Sequence, residues 1–318
     1  MTTPVLDCVG MGHRYGRRGT WGLRECTLAV PAGRVVALVG PNGAGKTTLL
    51  HLAAGLLPPT EGSVHVAGAE PGRRLERIGF VAQDSPLWPR LRVQDVLGVG
   101  AHLNPRWDSG LASERIARLG IPPRARIGTL SGGQRAQVAL TLVLAKRPEL
   151  LLLDEPLANL DPLARREFLA SMFDACTQSG AAVLFSSHVV AELERICDYL
   201  VVLAGGRVRL AGDIDELRHA HRVIAGPAGW STTMAARTAA LPYDAARDGG
   251  WEWRLISARK VAGRTTALVR VGGGSPPGPG LEAAEPTFDE LVLGYLDQHD
   301  SDQDHAGQEP TRHAEAPV

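Results

Sequence analysis

The chain has 318 residues, of which 44% are apolar, so it is long enough for one large domain and a smaller one. Its 34 Lys and Arg residues balance its 34 Asp and Glu residues, which argues against a nucleic-acid-binding surface over the whole chain, although a local basic patch is compatible with this balance. The N-terminus lacks the features of a signal peptide and no apolar run has the length of a membrane-spanning helix, so we expect a soluble chain.

Short apolar runs predict buried parallel strands at four places. The runs are continuous rather than alternating, which is typical of strands covered on both faces. Helical stretches separate them, so the pattern predicts an α/β fold. The runs are RVVALVG (34–40), IGFVAQ (78–83), LLLLD (150–154) and AAVLFSS (181–187).

Two other segments of this first domain have different patterns. Residues 84–147 lack strong strand signals and are predicted to form a mainly helical insertion that ends before Pro148. In YLVVLAGGRVRLAG (199–212), two strand-like runs flank Gly205 and Gly206, which predicts a tight hairpin. We assign residues 1–218 to this domain.

The residues after 218 predict a small α+β domain over 219–297. WEWRLISA and TTALVRV are predicted strands, GGGSPPGPG (272–280) is a predicted flexible loop, and PTFDELVLGYL is a predicted helix. The tail, 298–318, is polar and predicted to be disordered. Four side chains of the predicted helix share one face: Phe288, Leu291, Val292 and Tyr295.

The segment GPNGAGKT (40–47) fits the phosphate-binding pattern GxxxxGK[ST] and lies between a predicted strand and a predicted helix. Its glycines allow backbone N–H groups to surround phosphates as a nest. Lys46 would neutralise the β and γ phosphates, Thr47 would bind Mg²⁺, and Thr48 can place a hydroxyl at the α phosphate. The residues expected to bind the nucleotide here are Gly40, Asn42, Gly43, Ala44, Gly45, Lys46, Thr47 and Thr48.

Polar side chains end the other predicted parallel strands. In LLLLDEP, Asp154 suits a water-mediated Mg²⁺ contact and Glu155 can polarise an attacking water. Gln83 and His188 end two more strands, although each of these residues alone is more often structural. Because doubly wound sheets bind ligands at the carboxyl ends of their strands, all four are expected near the phosphate loop.

A second Gly-rich turn, LSGGQ (130–134), opens another predicted helix far along the chain. The N-terminus of a helix after such a turn can also bind phosphate, so one domain carries two candidate phosphate cradles. Tyr15, in GHRYGRRG, can stack on adenine or can be an ordinary residue of a surface hairpin, and this stretch alone leaves both interpretations open.

The motifs together resemble those of the nucleotide-binding subunits of ATP-binding cassette (ABC) transporters. Tyr15, GPNGAGKTT, Gln83, LSGGQ, LLLLDEP, LANLD and His188 occur in the family's order, and the resemblance covers about residues 5–218. It implies a P-loop cassette with a mixed sheet core, an antiparallel β subdomain and a helical subdomain at about 84–147, followed by a small α+β appendage. It also implies ATP hydrolysis with Mg²⁺, Glu155, His188 and Gln83 as catalytic residues, and Thr47, Gln83 and Asp154 at the metal.

The resemblance explains the second cradle. In the family, two cassettes pack head to tail, and each ATP lies between the P-loop of one and the LSGGQ of the other. Asp161, in LANLD, would organise this contact, and a homodimer is expected. The residues that would meet the partner's nucleotide are Ser131, Gly132, Gly133 and Gln134. The sequence departs from many members at Arg135-Ala136-Gln137, where the family is more basic.

The resemblance further implies a membrane-spanning partner subunit, a position on the cytoplasmic face of the membrane, and no direct nucleic-acid contact. DSPLWPRLRVQDV (84–96) would dock the partner, or Trp88 and Leu91 simply pack the helical insertion. Similarity of PTFDELVLGYL and NPRWD to the drug and antibiotic exporter group favours export. The alternatives are an importer ATPase and a soluble ABC-type clamp acting on translation or nucleic acid.

Overall fold

The computed structural model describes residues 3–16, 19–84, 86–187, 190–227, 230, 246–248, 251–261, 263–273 and 280–306. The chain divides into two compact units, one that ends at Asp213 and one that begins at Ile214. This division lies a few residues before the boundary predicted at 218.

A six-stranded sheet forms the centre of the first unit, in the order β5-β6-β7-β3-β8-β9. The first five of these strands are parallel along the sheet, and β9 is antiparallel to β8. Every residue of β6 and β7 is buried, which agrees with their continuous apolar sequences. The strands are β3 Val35–Val39, β5 Ile78–Val81, β6 Leu150–Asp154, β7 Ala182–Ser187, β8 Tyr199–Ala204 and β9 Arg207–Asp213.

The predicted strands and the hairpin of this sheet are confirmed. The hairpin joins β8 to β9 through Gly205 and Gly206, which have φ values of 58° and 72°. Such left-handed conformations at both turn positions favour glycine.

An antiparallel sheet of three strands is ordered β2-β1-β4. Its apolar side chains pack in one core together with apolar side chains of the six-stranded sheet. Its strands are β1 Pro4–Arg14, β2 Trp21–Pro31 and β4 Glu61–Val66. The resemblance implied an antiparallel subdomain, but the residue patterns predicted none of these strands individually.

The segment predicted as a helical insertion is helical and has a core of its own, which includes Val93, Ile116, Ile127 and Val138. Leu91 packs against this core, whereas the Trp88 side chain is 60% exposed. The helices of the first unit are α1 Lys46–Ala53, α2 Val93–Leu103, α3 Ser109–Arg118, α4 Gly132–Ala145, α5 Pro162–Ser179 and α6 Val190–Leu193, with short 3₁₀ turns at Pro71–Arg73, Leu75–Arg77 and Ile127–Thr129.

Within the described ranges, no helix is both long enough and apolar enough to cross a membrane.

The described residues of the second unit form a five-stranded antiparallel sheet, ordered β11-β12-β13-β10-β14, and two helices of more than one residue. The predicted helix face is confirmed, because Phe288, Leu291, Val292 and Tyr295 are all buried. Its elements are α7 Ile214–His219, β10 His221–Pro227, β11 Ala246–Asp248, β12 Trp251–Val261, β13 Arg264–Gly273, β14 Glu282–Ala284 and α8 Phe288–Ala306.

Two predicted boundaries in the second unit differ from the structure. Strand β13 extends to Gly273, into the predicted loop, whose residues 274–279 lie outside the described ranges. Helix α8 runs to Ala306, past the predicted start of the tail at 298, and residues 307–318 lie outside the described ranges. A polar composition disfavours a packed core but does not prevent a helix from continuing into solvent.

His221 is fully buried in the second unit and makes two hydrogen bonds. Its Nδ1 lies 2.7 Å from the Leu217 carbonyl oxygen, which only accepts, so Nδ1 donates there. Its Nε2 lies 2.9 Å from the Tyr295 hydroxyl oxygen. Burial, with a smaller contribution from the Arg270 charge, lowers the pKa of His221 below its ordinary value.

A lowered pKa makes the second unit less stable in acid. In the unfolded chain His221 binds a proton at about pH 6.5, whereas in the folded unit it does so only at lower pH. The stability that neutral His221 contributes is therefore complete above about pH 6.5 and is lost as the pH falls through the pKa of the folded state. We expect the opening free energy of β10 and α8 amides, from hydrogen exchange, to fall between pH 7.5 and pH 5. His221→Gln should reduce this dependence, and His219→Gln, at an exposed position, should not. Equal pH dependence in both variants would contradict the assignment.

Candidate functional site

The carboxyl ends of four neighbouring parallel strands carry the predicted polar residues. Strands β5, β6, β7 and β3 are adjacent in this order. Asp154 is the last residue of β6, Gln83 follows β5, and the Gly40 loop follows β3. His188 would follow β7 but lies outside the described residues.

The Gly-rich loop approaches the β1–β2 region so closely that a side chain would not fit at Gly45. A Cβ atom there would lie 2.4 Å from the Gly22 carbonyl oxygen, and the φ value is 102°. At Gly43 φ is 81°, and the space that a Cβ atom would take there is open. The loop leads into α1, whose first N–H groups have no intrahelical acceptor and can donate to an anion.

Lys46 begins α1 and its side chain is 7% exposed. Its ammonium Nζ donates to the Gly40 carbonyl oxygen at 2.7 Å and to the Pro41 carbonyl oxygen at 3.3 Å. The same Nζ lies 3.5 Å from Glu155 Oε1, and the Glu155 side chain is 10% exposed. The lysine therefore connects the phosphate loop to the carboxylate at the end of β6.

Ser186 on β7 connects the two neighbouring acidic residues. Its hydroxyl donates to Asp154 Oδ1 at 2.8 Å and accepts the backbone N–H of Glu155 at 2.9 Å. Glu155 has a φ value of 47°, a left-handed conformation that costs a non-glycine residue about 1–2 kcal/mol. This backbone turn places Glu155 in the cavity at Lys46 while Asp154 stays buried in the sheet.

Tyr15 lies at the end of β1 and its side chain is half exposed. Its hydroxyl is 3.0 Å from the Thr48 Oγ1 on α1, and its ring forms a T-shaped pair with the His13 ring, with the two centroids 4.8 Å apart. The hydroxyl contact holds the tyrosine against the helix that follows the phosphate loop and leaves part of the ring accessible.

One open cavity of about 420 Å³ brings most of these residues together; we call it the P-loop cavity. It joins the phosphate loop to Tyr15, Gln83 and Glu155. Glycines, helix N–H groups and a lysine line its base, a donor set that fits the phosphates of a nucleotide. Its lining is Tyr15, Thr20, Trp21, Gly22, Pro41, Asn42, Gly43, Ala44, Gly45, Lys46, Thr47, Thr48, Gln83 and Glu155.

The second cradle has its own geometry. Ser131 caps α4: its hydroxyl accepts the Gln134 N–H at 3.2 Å, while Gln134 Oε1 accepts the Ser131 N–H at 3.1 Å. This reciprocal pair is a capping box. A Cβ atom at Gly133 would lie 2.8 Å from the Ala164 Cβ, so glycine permits α4 to approach α5.

Asp161 lies beside this second cradle. Its Oδ1 caps α5 by accepting the N–H groups of Leu163 and Ala164 at 3.0 and 2.9 Å. Ser131, Gln134 and Asp161 share a cavity of about 180 Å³. Its described lining has no residue in common with the P-loop cavity, so the two cradles of one chain are separate sites.

Comparison with known proteins agrees with this arrangement. The family model described as ABC transporter matches residues 23–158. The thiamine import ATP-binding protein ThiQ of Salmonella choleraesuis is 40% identical over 204 residues, which are 60% of this chain and 85% of that protein. The chain belongs to the ABC transporter family.

A second family model, another relative and a solved structure also match the chain. An AAA domain model matches residues 128–194. The uncharacterized ABC transporter ATP-binding protein YdbJ of Bacillus subtilis is 29% identical over 215 residues, which are 66% of this chain and 69% of that protein. The solved structure of cbiO1 from Clostridium perfringens, part of the ABC transporter complex cbiONQ, has a TM-score of 0.60 at 25% identity and covers 76% of this chain and 96% of its own.

These comparisons show that the chain is an ABC-type ATP hydrolase that binds ATP, with a P-loop cassette fold. The antiparallel sheet and the helical subdomain that the family resemblance implied are both present in the first unit.

Ser186 is a site residue that sequence reasoning missed. It is one of two serines at the end of AAVLFSS, and serine at a strand end has no distinctive pattern. Its contact with Asp154 depends on the pairing of β6 with β7, which places Asp154 beside Ser186. A second missed signal was in the sequence: S-G-G-Q has the spacing of a capping box.

Ser186→Ala removes the hydroxyl that holds both Asp154 and the Glu155 backbone. A lost buried hydrogen bond is worth about 1–3 kcal/mol, so we expect the kcat of the ABC cassette to fall by about tenfold, with a smaller change in KM for ATP. Steady-state ATPase kinetics measure this, with Ser63→Ala, on β4, as the control. An unchanged kcat would show that the cassette positions its carboxylates without Ser186.

Proposed function

We propose that this chain powers transport by hydrolysing ATP in the P-loop cavity, with Glu155 as the general base. The observation that carries this assignment is the 3.5 Å approach of Glu155 Oε1 to Lys46 Nζ at the mouth of the phosphate loop. A carboxylate at this place lies next to the γ-phosphate end of a nucleotide held by the loop. When phosphate oxygens bind the lysine ammonium, the Glu155 carboxylate would orient the attacking water.

The phosphates of ATP would be held by Lys46 and by the N–H groups of the loop and α1, and Tyr15 would stack on adenine. Thr47, Asp154 and Gln83 would hold Mg²⁺, which neutralises charge that develops on the phosphates. The described residues contain no cluster of three or more His, Cys, Asp or Glu side chains. This fits a Mg²⁺ ion that is bound partly by phosphate oxygens and water. His188 is proposed to orient the γ-phosphate, from its position directly after β7.

The second cradle supports a two-fold dimer. Within one chain, Ser131 and the N-terminus of α4 line a cavity separate from the P-loop cavity. Two copies packed head to tail would place Ser131, Gly132, Gly133 and Gln134 of each on the nucleotide of the other. A closed pair of this kind uses both cradles twice. Asp161, beside the second cradle, is proposed to organise the contact.

The chain is proposed to lie on the cytoplasmic face of the membrane and to work with a separate membrane-spanning subunit, because the relatives it is similar to are named as ATP-binding proteins of transporters. Trp88, which is exposed and lies five residues after Gln83, is a candidate contact with this partner. Cargo export was favoured by the C-terminal sequence. The ThiQ relatives, which are named for thiamine import, favour the import alternative instead, although their similarity covers only 60% of this chain.

Glu155→Gln keeps the shape of the side chain but removes its basicity. We expect this variant to bind ATP, to hydrolyse it at least about a hundredfold more slowly, and to accumulate as a dimer in excess ATP and Mg²⁺. Light scattering after gel filtration measures the mass. Lys46→Ala, which loses the phosphate contact, is the matched control and should stay monomeric. A Glu155→Gln variant that remains a monomer at saturating ATP would contradict the two-cradle dimer.

The partner is tested by capture of tagged Glu155→Gln chain with ATP from detergent-solubilised membranes of the native cell, followed by mass spectrometry. We expect a multi-spanning protein without a P-loop of its own. The identity of that protein, and uptake or efflux assays with its cargo, then decide between import and export. Recovery only of ribosomal or nucleic-acid-binding proteins would overturn the transport function and leave the dimer result standing.

A further inference from the structure

The second unit has a cavity of its own, and its lining shares no residue with the P-loop cavity. It has a volume of about 310 Å³ and lies between α8 and the strands β10, β12 and β13. Small-molecule sites in proteins have volumes of about 300–1,000 Å³. At Gly294, beside the cavity, a Cβ atom would lie 2.3 Å from Leu268 Cδ2 and 3.1 Å from Ser257 Oγ. Glycine therefore permits the close approach of α8 to the sheet that forms one side of the cavity.

The floor of the cavity is mainly apolar. Val223 and Ser257 are the direct partners of Leu268 on the two neighbouring strands, so the three side chains lie in one row on one face of the sheet. Leu268 is buried and Val223 is half-buried. On the helix side, Leu293 lines the same cavity and is 42% exposed. The apolar part of a ligand would cover this surface and remove it from water.

Two hydroxyl groups and an ion pair border the apolar floor. The Ser257 and Thr266 hydroxyls line the cavity and make no hydrogen bond with the part of the chain that the structure describes. Arg259, the cross-strand partner of Thr266, donates from Nε to the Asp297 carboxylate on α8. The positive charge of Arg259 is therefore balanced within the second unit.

Glu290 is the other charged residue of the cavity lining. Its Oε2 accepts the Thr287 N–H at 2.8 Å and the Thr287 hydroxyl at 3.0 Å, while Thr287 Oγ1 accepts the Glu290 N–H at 3.2 Å. This capping box fixes the carboxylate at the start of α8. Counting only described residues, Glu290 has no ion-pair partner within 4 Å, and its Oε1 accepts no hydrogen bond. The cavity therefore has one negative charge that the unit does not balance.

We propose that this cavity binds an organic cation, a small molecule with an ammonium group and an apolar body. The ammonium group would donate to Glu290 Oε1, and the hydroxyl oxygens of Ser257 and Thr266 can accept further hydrogen bonds from the ligand. The apolar body would cover Leu268 and Leu293. A carboxylate ligand would instead meet a like charge and a guanidinium that already has its ion pair. The site lies in the second unit, so it does not depend on the proposed ATPase mechanism.

Three probes with the same apolar chain test the class of ligand: hexylamine, hexanol and hexanoate. At neutral pH they carry a positive charge, no charge and a negative charge. Isothermal titration of the full chain gives the Kd values, and hydrogen exchange of the β13 and α8 amides locates the site. We expect hexylamine to bind and to slow exchange in these two elements. Hexanol should bind at least about tenfold more weakly because it lacks the charged hydrogen bond, and hexanoate should be weaker still.

Two variants with a matched control test the contacts. Glu290→Gln removes the charge, and because glutamine also forms capping boxes the helix should persist. It should weaken hexylamine binding about tenfold and leave hexanol binding unchanged. Asp289→Asn, at an exposed position outside the cavity, makes the same change of charge and should alter neither Kd. Thr266→Leu puts extra carbon atoms into the cavity and should weaken both probes, and the melting temperature checks that each variant is folded.

Several results would overturn the inference. Equal binding of hexylamine and hexanoate would show an apolar groove that does not select charge. An equal loss of hexylamine affinity in Glu290→Gln and Asp289→Asn would assign the effect to the general charge of the helix start. Unchanged exchange in β13 and α8 at saturating hexylamine would place the amine elsewhere. Because ATP hydrolysis and ATP-dependent dimerisation are measured separately, each of these results leaves the proposed function intact.

Discussion

The site depends on how two consecutive carboxylates are accommodated at the end of a buried strand. Asp154 and Glu155 would repel each other if both side chains stayed in the sheet. The left-handed backbone at Glu155 separates them, Ser186 donates to Asp154, and Lys46 approaches Glu155. Because β7 lies between β6 and β3, Ser186 on β7 and Lys46 at the start of α1, which follows β3, can reach these two acids. The parallel strand order therefore determines the chemistry, and any change of order would leave a buried charge without its partner.

A second constraint comes from helix ends. The capping box at Ser131 begins α4 at the Gly-rich turn, and Asp161 with Pro162 begins α5 beside it. Both helix starts use side-chain oxygens to satisfy their own first N–H groups, which keeps the two turns rigid without a ligand. The glycines of the turn allow the close packing on Ala164. A rigid, preformed second cradle would cost little to dock onto a nucleotide held by another chain, as the proposed dimer requires.

Some elements are easier to predict from the sequence than others. The difference lies in how strictly burial constrains the residue type at each position. Strand β6 was predictable because a strand covered on both faces needs an apolar residue at nearly every position. Strand β2 was not, because its buried positions pass from Leu23 to Cys26 through a bulge at Glu25, whose φ is 52°, and this breaks the alternation. The phosphate loop was predictable because phosphate chemistry requires particular residues at fixed spacing, whereas Ser186 acts only through the pairing of β6 with β7. The individual roles of the other predicted site residues, His188 included, remain predictions.

In the proposed function, chemistry and partner choice lie in different parts of the chain. The glycines, Lys46 and the carboxylates would act on ATP in the same way whichever direction a cargo moves, since hydrolysis depends only on phosphate and water. An identity of 40% over the aligned residues is therefore stronger support for a shared ATPase activity than for a shared cargo. The helical part has its own small core, and none of its described residues lines the P-loop cavity, so its outer residues can change without disturbing that cavity. Selection for a particular membrane partner would therefore act on the exposed residues of the helical part, where substitutions alter recognition at little cost to folding.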